Sequence, residues 1–382
     1  MNFEITAEQK ILKDTLREFV KAEVEPHVEA YEKAGHLPRE LVRKLWKELG
    51  MGGMLIPEEY GGSGLDQVSY CLVIEELARV WAALSITVSV HNSVGCSPIV
   101  RFGSEAQKRK YLPQLASEWI GAFSLSEPAS GSDAAALRTR AVKDGSDYVL
   151  NGEKNWVTSA GFATTYIVMA RTSADRHNGI SAFVIEKGTP GLTLGRAEDK
   201  MGIKASETRS LILEDCRIPA DQLLGEEGAG FRMAMVLLDG GRVGVAAQAV
   251  GIAQAAYDQA VRYSKERVTF GKPIAEHQAI RFSLADMHTR LEAARLLTYR
   301  AAWLKDQGRP FTREASMAKV FASEAATLLS HKALQIHGGY GYVTDYPVER
   351  YYRDARVTEI YEGTSEIQRL VIASTFLKEQ RQ

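Results

Sequence analysis

Asp147-Tyr148-Val149-Leu150-Asn151-Gly152 is where the chain changes texture. A run of aromatic and branched side chains ends on Asn-Gly, the pair that favours a tight turn, so a strand closed by a hairpin is expected. Tyr166-Ile167-Val168-Met169-Ala170, Ser181-Ala182-Phe183-Val184-Ile185 and Ser210-Leu211-Ile212-Leu213 continue the strand pattern, with Pro190-Gly191 as a turn between two of these runs. Residues 121–226 therefore read as a small all-β domain. Neither flank shares that texture.

Upstream, residues 1–120 read as helices. Thr6 can cap one whose apolar positions include Leu12, Leu16, Phe19 and Val20, spaced by threes and fours. Pro38 falls in the first turn of another, followed by Leu41, Val42, Leu45 and Trp46. Pro57-Glu58-Glu59-Tyr60-Gly61-Gly62-Ser63-Gly64 is a loop, after which Tyr70, Ile74, Leu77 and Ala78 resume the helical period. Downstream, residues 227–382 read as a helical bundle. Its long helices carry Val245, Ala249, Ile252, Ala256 and Ala260, then Leu284, Met287, Leu291 and Ala294, then Ala318, Phe321, Ala325 and Leu328. Gly338-Gly339-Tyr340-Gly341-Tyr342 interrupts them, and Thr364 is placed to cap a closing helix with Ile367, Leu370 and Val371 as its apolar face. The fold class is α+β and mostly α, a β domain set between two helical ones.

The charge balance excludes several functions. The 382 residues carry 47 Lys and Arg against 48 Asp and Glu, interspersed, which leaves no footprint for nucleic acid and no polybasic membrane signal. No apolar run is expected to span a bilayer. Cys71, Cys96 and Cys216 are far apart and form no Cys-x-x-Cys pair, so neither a disulfide framework nor a zinc cluster is expected. His91 has no second ligand at metal spacing and reads as a satisfied structural histidine. Met1-Asn2-Phe3-Glu4 has no signal or transit pattern, so a bacterial-type cytoplasmic protein is expected.

Five segments can carry chemistry, and four of them also have an ordinary reading. Ser124-Leu125-Ser126-Glu127-Pro128-Ala129-Ser130-Gly131-Ser132-Asp133 can wrap a polar ring or a phosphate, or simply join two domains. In Asn155-Trp156-Val157-Thr158-Ser159 an indole can cover an aromatic cofactor while Thr158 bonds its edge; a core tryptophan is the alternative. Arg267-Val268-Thr269-Phe270-Gly271-Lys272-Pro273, with Gln278 close behind, offers a guanidinium suited to a pyrophosphate, or a surface arginine at a helix end. Gln335-Ile336-His337-Gly338-Gly339-Tyr340-Gly341 lets backbone amides approach a phosphate or ribose. Tyr361-Glu362-Gly363-Thr364 sets a carboxylate beside a glycine just ahead of a helix, where the helix dipole alone would also favour it. No Gly-x-Gly-x-x-Gly follows a strand and no Gly-x-x-x-x-Gly-Lys-Ser/Thr occurs, so neither a Rossmann domain nor a P-loop is present.

Taken in order, Leu125-Ser126-Glu127-Pro128, Gly131-Ser132-Asp133, Asn155-Trp156-Val157-Thr158, Arg267 to Pro273, Gln335 to Gly341 and Ile360-Tyr361-Glu362-Gly363-Thr364 resemble the acyl-CoA dehydrogenases over essentially the whole chain. The resemblance implies an N-terminal helical domain, a middle β domain of barrel or sandwich form, and a C-terminal four-helix bundle. It implies FAD-dependent α,β-dehydrogenation of an acyl-CoA to the trans-2-enoyl-CoA in fatty acid β-oxidation, with electrons passed to an electron-transferring flavoprotein. By the same resemblance Glu362 removes the α-proton while flavin N5 takes the β-hydride. A flavin ribityl hydroxyl and the Glu362 N–H then stabilise the developing enolate. An acyl chain that desolvates Glu362 should raise its pKa. A second subgroup carries the base on the first long C-terminal helix, just before an arginine; here that position is Gly241, in Asp239-Gly240-Gly241-Arg242.

Residue by residue, the resemblance gives the flavin ring to Leu125, Ser126, Trp156 and Thr158, with Phe123, Ser132 and Val157 also binding the cofactor. It gives other parts of FAD to Arg267, Phe270 and Gln278, with Gln335, Gly338 and Gly339 reaching in from a neighbouring subunit and Thr364 and Glu366 on the adenosine side. Ser132, Asp239, Arg242 and Gly363 would contact substrate. No metal is implied, and the shared cofactor site implies a homo-oligomer, the family norm being a tetramer. The stretch from Asp239 to Ala249 looks most like the short-chain, butyryl-CoA type, a pattern that medium-chain and branched types share in part. Ala129-Ser130 offers no arginine for a glutaryl carboxylate. An oxygen-reactive acyl-CoA oxidase-like flavoprotein and a non-catalytic flavin-bearing protein are the competing readings.

Overall fold

The computed structural model describes residues 4–379; Met1 to Phe3, part of the stretch read for targeting, lie outside them. Helix α1 (Ala7–Glu23) opens on a reciprocal cap in which Thr6 Oγ1 accepts from the Gln9 N–H (3.2 Å) and Gln9 Oε1 accepts from the Thr6 N–H (3.0 Å). Helices α2 (Val28–Ala34), α3 (Arg39–Leu49), α4 (Gln67–Val80), α5 (Ala82–Val90), α6 (Ser97–Phe102) and α7 (Glu105–Ser117) follow. Between α5 and α6 the chain makes a π-helical turn, His91–Cys96. His91 is locked in it: Nδ1 accepts from the Gly121 N–H (3.0 Å) and Nε2 donates to Gly52 O (2.8 Å). Burial pushes the imidazole down to about 4, so it is neutral and structural, as the sequence suggests.

The β region is β1 (Gly121–Ser124), β2 (Arg140–Asp144), β3 (Asp147–Thr158), β4 (Thr165–Arg171), β5 (Ile180–Glu186), β6 (Leu192–Leu194), β7 (Thr208–Pro219) and β8 (Leu223–Leu224). Strands β6-β7-β3-β2 form one wing and β1-β4-β5-β8 the other, joined between β2 and β4 by the single pair Arg140↔Arg171. The expected hairpin at Asn151-Gly152 is not there. The turn lies earlier, at Gly145-Ser146 between β2 and β3, and β3 runs straight through Asn151-Gly152. These two residues serve a bulge instead. Glu214 and Asp215 of β7 stand opposite Asn151, whose amide donates to Asp215 Oδ1 (3.1 Å) and accepts from the Asp215 N–H (2.8 Å). Gly152 leaves room for Thr139, whose Cα would lie 2.7 Å from a Cβ at that position.

Helix α8 (Gly230–Glu266) begins the last part, followed by the hairpin β9 (Val268–Thr269) and β10 (Lys272–Pro273), then α9 (Gln278–Asp306), α10 (Thr312–His337), α11 (Val348–Val357) and α12 (Ser365–Glu379). The sequence pattern passes over α11. By length and composition α8 could cross a membrane, contrary to expectation, but most of its apolar stretch is buried inside the protein, the signature of a core helix. Gly244 of α8 sits against Tyr70 and Ser89, and Gly251 against the α4 backbone at Glu75; any larger residue would push α4 and α5 away. The largest apolar cluster accordingly runs through α1, α3, α4 and α5 into α8 to α11, so the two helical parts share one core. A second cluster joins α6 and α7 to the sheet, and a third fills the sheet itself.

Candidate active site

The C-terminal end of α11 runs into a turn whose residues take unusual backbone. Glu362 has φ +53° and Gly363 φ +93°. A left-handed non-glycine residue costs roughly 1–3 kcal/mol and persists only where its surroundings fix it. Here they do. Gln368 Nε2 of α12 donates to Glu362 O (3.2 Å) and Gly363 O (2.9 Å), and Lys319 Nζ of α10 donates to the same Gly363 O (2.7 Å). The Tyr361 hydroxyl donates to Gln248 Oε1 of α8.

Held this way, the Glu362 carboxyl points at α8. A Cβ built on Gly241 would collide with Glu362 Oε2, so a side chain at 241 and a carboxylate at 362 compete for one volume. Oε2 is buried without a partner among the described residues. Burial pushes Glu362 up to about 7, against the opposing pull of Lys319 and Arg242. No described residue accepts from the Glu362 N–H. A buried, unpaired carboxyl poised near neutrality is suited to take a proton.

Arg242, one residue on from Gly241, is buried; its Nη1 donates to Asp239 Oδ1 (2.6 Å), while its Nε finds no partner among the described residues. Thr312 Oγ1 donates to Asp239 Oδ2 (2.6 Å). Gly363 lies in the Glu362 turn. Ser132 lies apart from these groups, exposed on the Ser124–Asp133 loop.

That loop is pinned by two residues the sequence reading gave no role. The Glu127 carboxylate accepts from the N–H groups of Arg138 (2.5 Å) and Thr139 (3.0 Å) and from Lys154 Nζ (2.7 Å), which also donates to Leu125 O (3.2 Å). Both side chains are buried, and burial pushes Lys154 down to about 8. Ser126 O accepts from the Asn155 N–H (2.8 Å). Next in β3 comes a second bulge, where Asn155 and Trp156 stand opposite Ser210; Trp156 takes φ +63° and leaves 63 % of its surface exposed. The Val157 side chain is in the sheet core, so its backbone is the part that can meet a ligand. Phe123 is partly buried between two core clusters, and Thr158 pairs with Thr208. From there Ser206 reaches Thr87 of α5 (3.3 Å) and the Ile203 N–H donates to Asp354 of α11 (2.5 Å), docking this strand end onto α5 and onto the helix that leads into the Glu362 turn.

The remaining expected residues form a separate patch at the far end of α8. Phe270 (φ +51°) and Gly271 (φ +79°) make the β9–β10 turn, a geometry glycine takes freely and phenylalanine does not; Phe270 is 96 % exposed. The Arg267 guanidinium lies over the Tyr340 ring at 5.8 Å, next to the exposed Gly338 and Gly339, with Gln278 and Gln335 also exposed. The sequence reading divided these residues between two subunits; within one chain the contact of Arg267 with Tyr340 brings the two segments side by side. Gly241 and Arg267 are about 39 Å apart along α8 at 1.5 Å per residue. Thr364 caps α12, accepting from the Ile367 N–H (3.4 Å), and Glu366 is exposed in its first turn. No metal-binding cluster occurs among the described residues.

Residues 6–118, 122–216 and 228–377 match the acyl-CoA dehydrogenase N-terminal, middle and C-terminal domains. The short-chain specific acyl-CoA dehydrogenase, mitochondrial, of Rattus norvegicus is 52 % identical over 380 residues, covering 99 % of this chain and 92 % of its own. Butyryl-CoA dehydrogenase from Megasphaera elsdenii superposes with TM-score 0.97 at 47 % identity, over 99 % of this chain and 100 % of that one. A chain in the structure of the electron transferring flavoprotein of Acidaminococcus fermentans does so with TM-score 0.97 at 49 % identity, again over 99 % and 100 %. A three-part fold with an isolated carboxyl over Gly241 and full-length matches of this kind place the chain in the acyl-CoA dehydrogenase family of oxidoreductases.

Proposed function

We propose that the protein dehydrogenates a short-chain acyl-CoA, such as butyryl-CoA, to the trans-2-enoyl-CoA, with Glu362 as the base. The observation that carries this reading is Glu362 Oε2, buried and without a partner among the described residues, over the bare Cα of Gly241. The short-chain identity of the rat and Megasphaera relatives supports the substrate class. Glu362 accepts the proton from the carbon next to the thioester carbonyl. Its own N–H, free of protein acceptors among the described residues, is available to the carbonyl oxygen as enolate charge develops. The Asp239–Arg242 pair and Gly363 line the substrate side, with Ser132 on the loop opposite.

The family's cofactor is FAD, and the residues fit it. Trp156 and Phe270 present open ring faces on backbone that costs energy to hold, and a Cβ at Gly338 or Gly339 would meet nothing within 4 Å. Bound FAD would supply the acceptor for the hydride leaving the β-carbon. Phe123, Leu125, Ser126, Trp156, the Val157 backbone and Thr158 would hold its ring. Arg267, Phe270, Gln278, Gln335, Gly338 and Gly339 would hold its distal half from a second subunit, with Thr364 and Glu366 at the adenosine. The length of α8 supports that division, and with it a homo-oligomer, taken here as a tetramer. An electron-transferring flavoprotein is the proposed acceptor, on the strength of the Acidaminococcus match. The proposed domains are residues 1–120, 121–226 and 227–382, and the three buried, free cysteines suit a cytoplasmic setting.

Anaerobic titration of the flavin-loaded protein with butyryl-CoA, octanoyl-CoA and isobutyryl-CoA tests the reading. Butyryl-CoA should bleach the flavin absorbance most readily. Faster bleaching by either of the others would move the substrate to medium or branched chains, and rapid recovery in air would make the protein oxidase-like. Bound flavin that none of the three bleaches would leave a binding protein and sink the proposal.

A further inference from the structure

We propose that Lys319 is a positioning residue that fixes the Glu362 turn and, through its charge, sets the pH at which Glu362 becomes a base; this rests on the reading of Glu362 as proton acceptor. Lys319 sits two turns into α10 with its side chain fully buried. Its ammonium donates to Gly363 O (2.7 Å), a carbonyl that the neutral Gln368 amide already holds at 2.9 Å. A second neutral donor would serve geometry equally well. Burying an ammonium costs several kcal/mol unless an anion offsets it, so the charge calls for a reason.

The surrounding groups leave one. Glu362 is faced by Arg242 from α8, Lys319 from α10 and the Tyr70 phenol from α4, with the Tyr361 phenol beside it in the chain. Arg242 is already committed to Asp239 (2.6 Å). Lys319 in turn is faced by Glu362, Glu359, Glu366 and Arg242. Glu359 is held by Arg356 (2.8 Å) and the Thr327 hydroxyl (2.5 Å), and Glu366 is exposed. Glu362 is the buried anion left for Lys319. Burial pushes Lys319 down to about 8, which keeps it mostly cationic at neutral pH. When an acyl chain excludes water from the site and drives the proton affinity of Glu362 up, this charge restrains the rise.

The test is the pH profile of kcat/KM for butyryl-CoA in the flavin-loaded enzyme and its variants Lys319→Gln, Lys319→Met and Lys319→Arg. Glu362 acts deprotonated, so the rate rises with pH through its pKa, and loss of a nearby positive charge raises that pKa. The acid limb should therefore move about one to two pH units alkaline in the Gln and Met variants and stay in place in Arg. Gln, which keeps a donor for Gly363 O, separates charge from hydrogen bonding. Lower rates at every pH with an unmoved limb would overturn the proposal, as would failure of all three variants to fold, since Lys319 would then be a packing residue. A Glu362→Gln enzyme that still turns over would instead refute the reading of Glu362, whatever the Lys319 variants do.

Discussion

Trp156, Phe270 and Glu362 share a property that sequence does not display: each is a non-glycine residue at positive φ, and each lies in a segment singled out for chemistry. Such backbone is held against its preference, and the hydrogen bonds around the Glu362 turn identify what holds it. The Glu362 turn holds its carboxyl where burial pushes it up to about 7. The acid limb of kcat/KM in the free wild-type enzyme is expected there, activity rising as pH climbs through it; a limb near pH 4.5, the value for an ordinary glutamate, would show that the buried environment is lost in solution. Glu362→Gln keeps the shape and removes the proposed base. It should lower the rate of flavin bleaching in stopped flow by about 10²–10⁴-fold while acyl-CoA binding, followed by its perturbation of the flavin spectrum, survives. A loss of less than tenfold would place the base elsewhere. Glu362 was legible because a carboxylate before Gly-Thr is a motif. Lys319 was not, because a lysine at helical spacing reads as solvated surface, and only the packing of α10 against the turn reveals it as buried.

Among the elements, the loop after β1 and the strand β3 behave as one unit, welded by Glu127 and Lys154. Removing one partner of a buried pair leaves an uncompensated charge, so Lys154→Met should lower unfolding free energy by about 3–5 kcal/mol in urea titration. It should also release flavin more readily, since the same pair holds the Leu125 carbonyl. The double change Glu127→Gln with Lys154→Met should recover part of the stability; equal loss in single and double variants would mean that the ion pair is not the cause. The caps, the helical periods and the strand runs were readable because they depend on neighbours a few residues away. Asn151-Gly152 misled because turn and bulge call for the same residue types, and the choice was made by β7, some sixty residues later. The closing helix misled in another way. Its expected apolar face included Leu370, yet Leu370 is exposed, and Gln368 turns inward to hold the Glu362 turn. Periodicity records which side chains could be buried, not which carbonyls need a donor.

At the scale of the whole molecule, the exposed apolar side chains follow a pattern. Phe282, Leu296 and Trp303 stand 14 and 7 residues apart on α9, so they share one helix face, and they are 61 %, 52 % and 48 % exposed. Leu370, Phe376 and Leu377 leave α12 similarly open. A stripe of this kind on a folded chain favours a protein partner. The proposed second subunit at the cofactor site points the same way by a different route, since Gly241 and Arg267 stand about 39 Å apart along α8. If a second copy covers the α9 stripe, assembly and cofactor retention are linked, because the distal half of FAD would be held only across subunits. The double variant Leu296→Glu with Trp303→Glu puts two charges on that face and leaves every proposed site residue in place. Light scattering after size exclusion should find its mass reduced from that of the wild type, with flavin content falling in step. A variant that dissociates and still retains stoichiometric FAD would show that one chain suffices to hold the cofactor, and the division of the site between subunits would have to be abandoned. A variant that stays fully assembled would move the interface off α9 without touching the argument from α8.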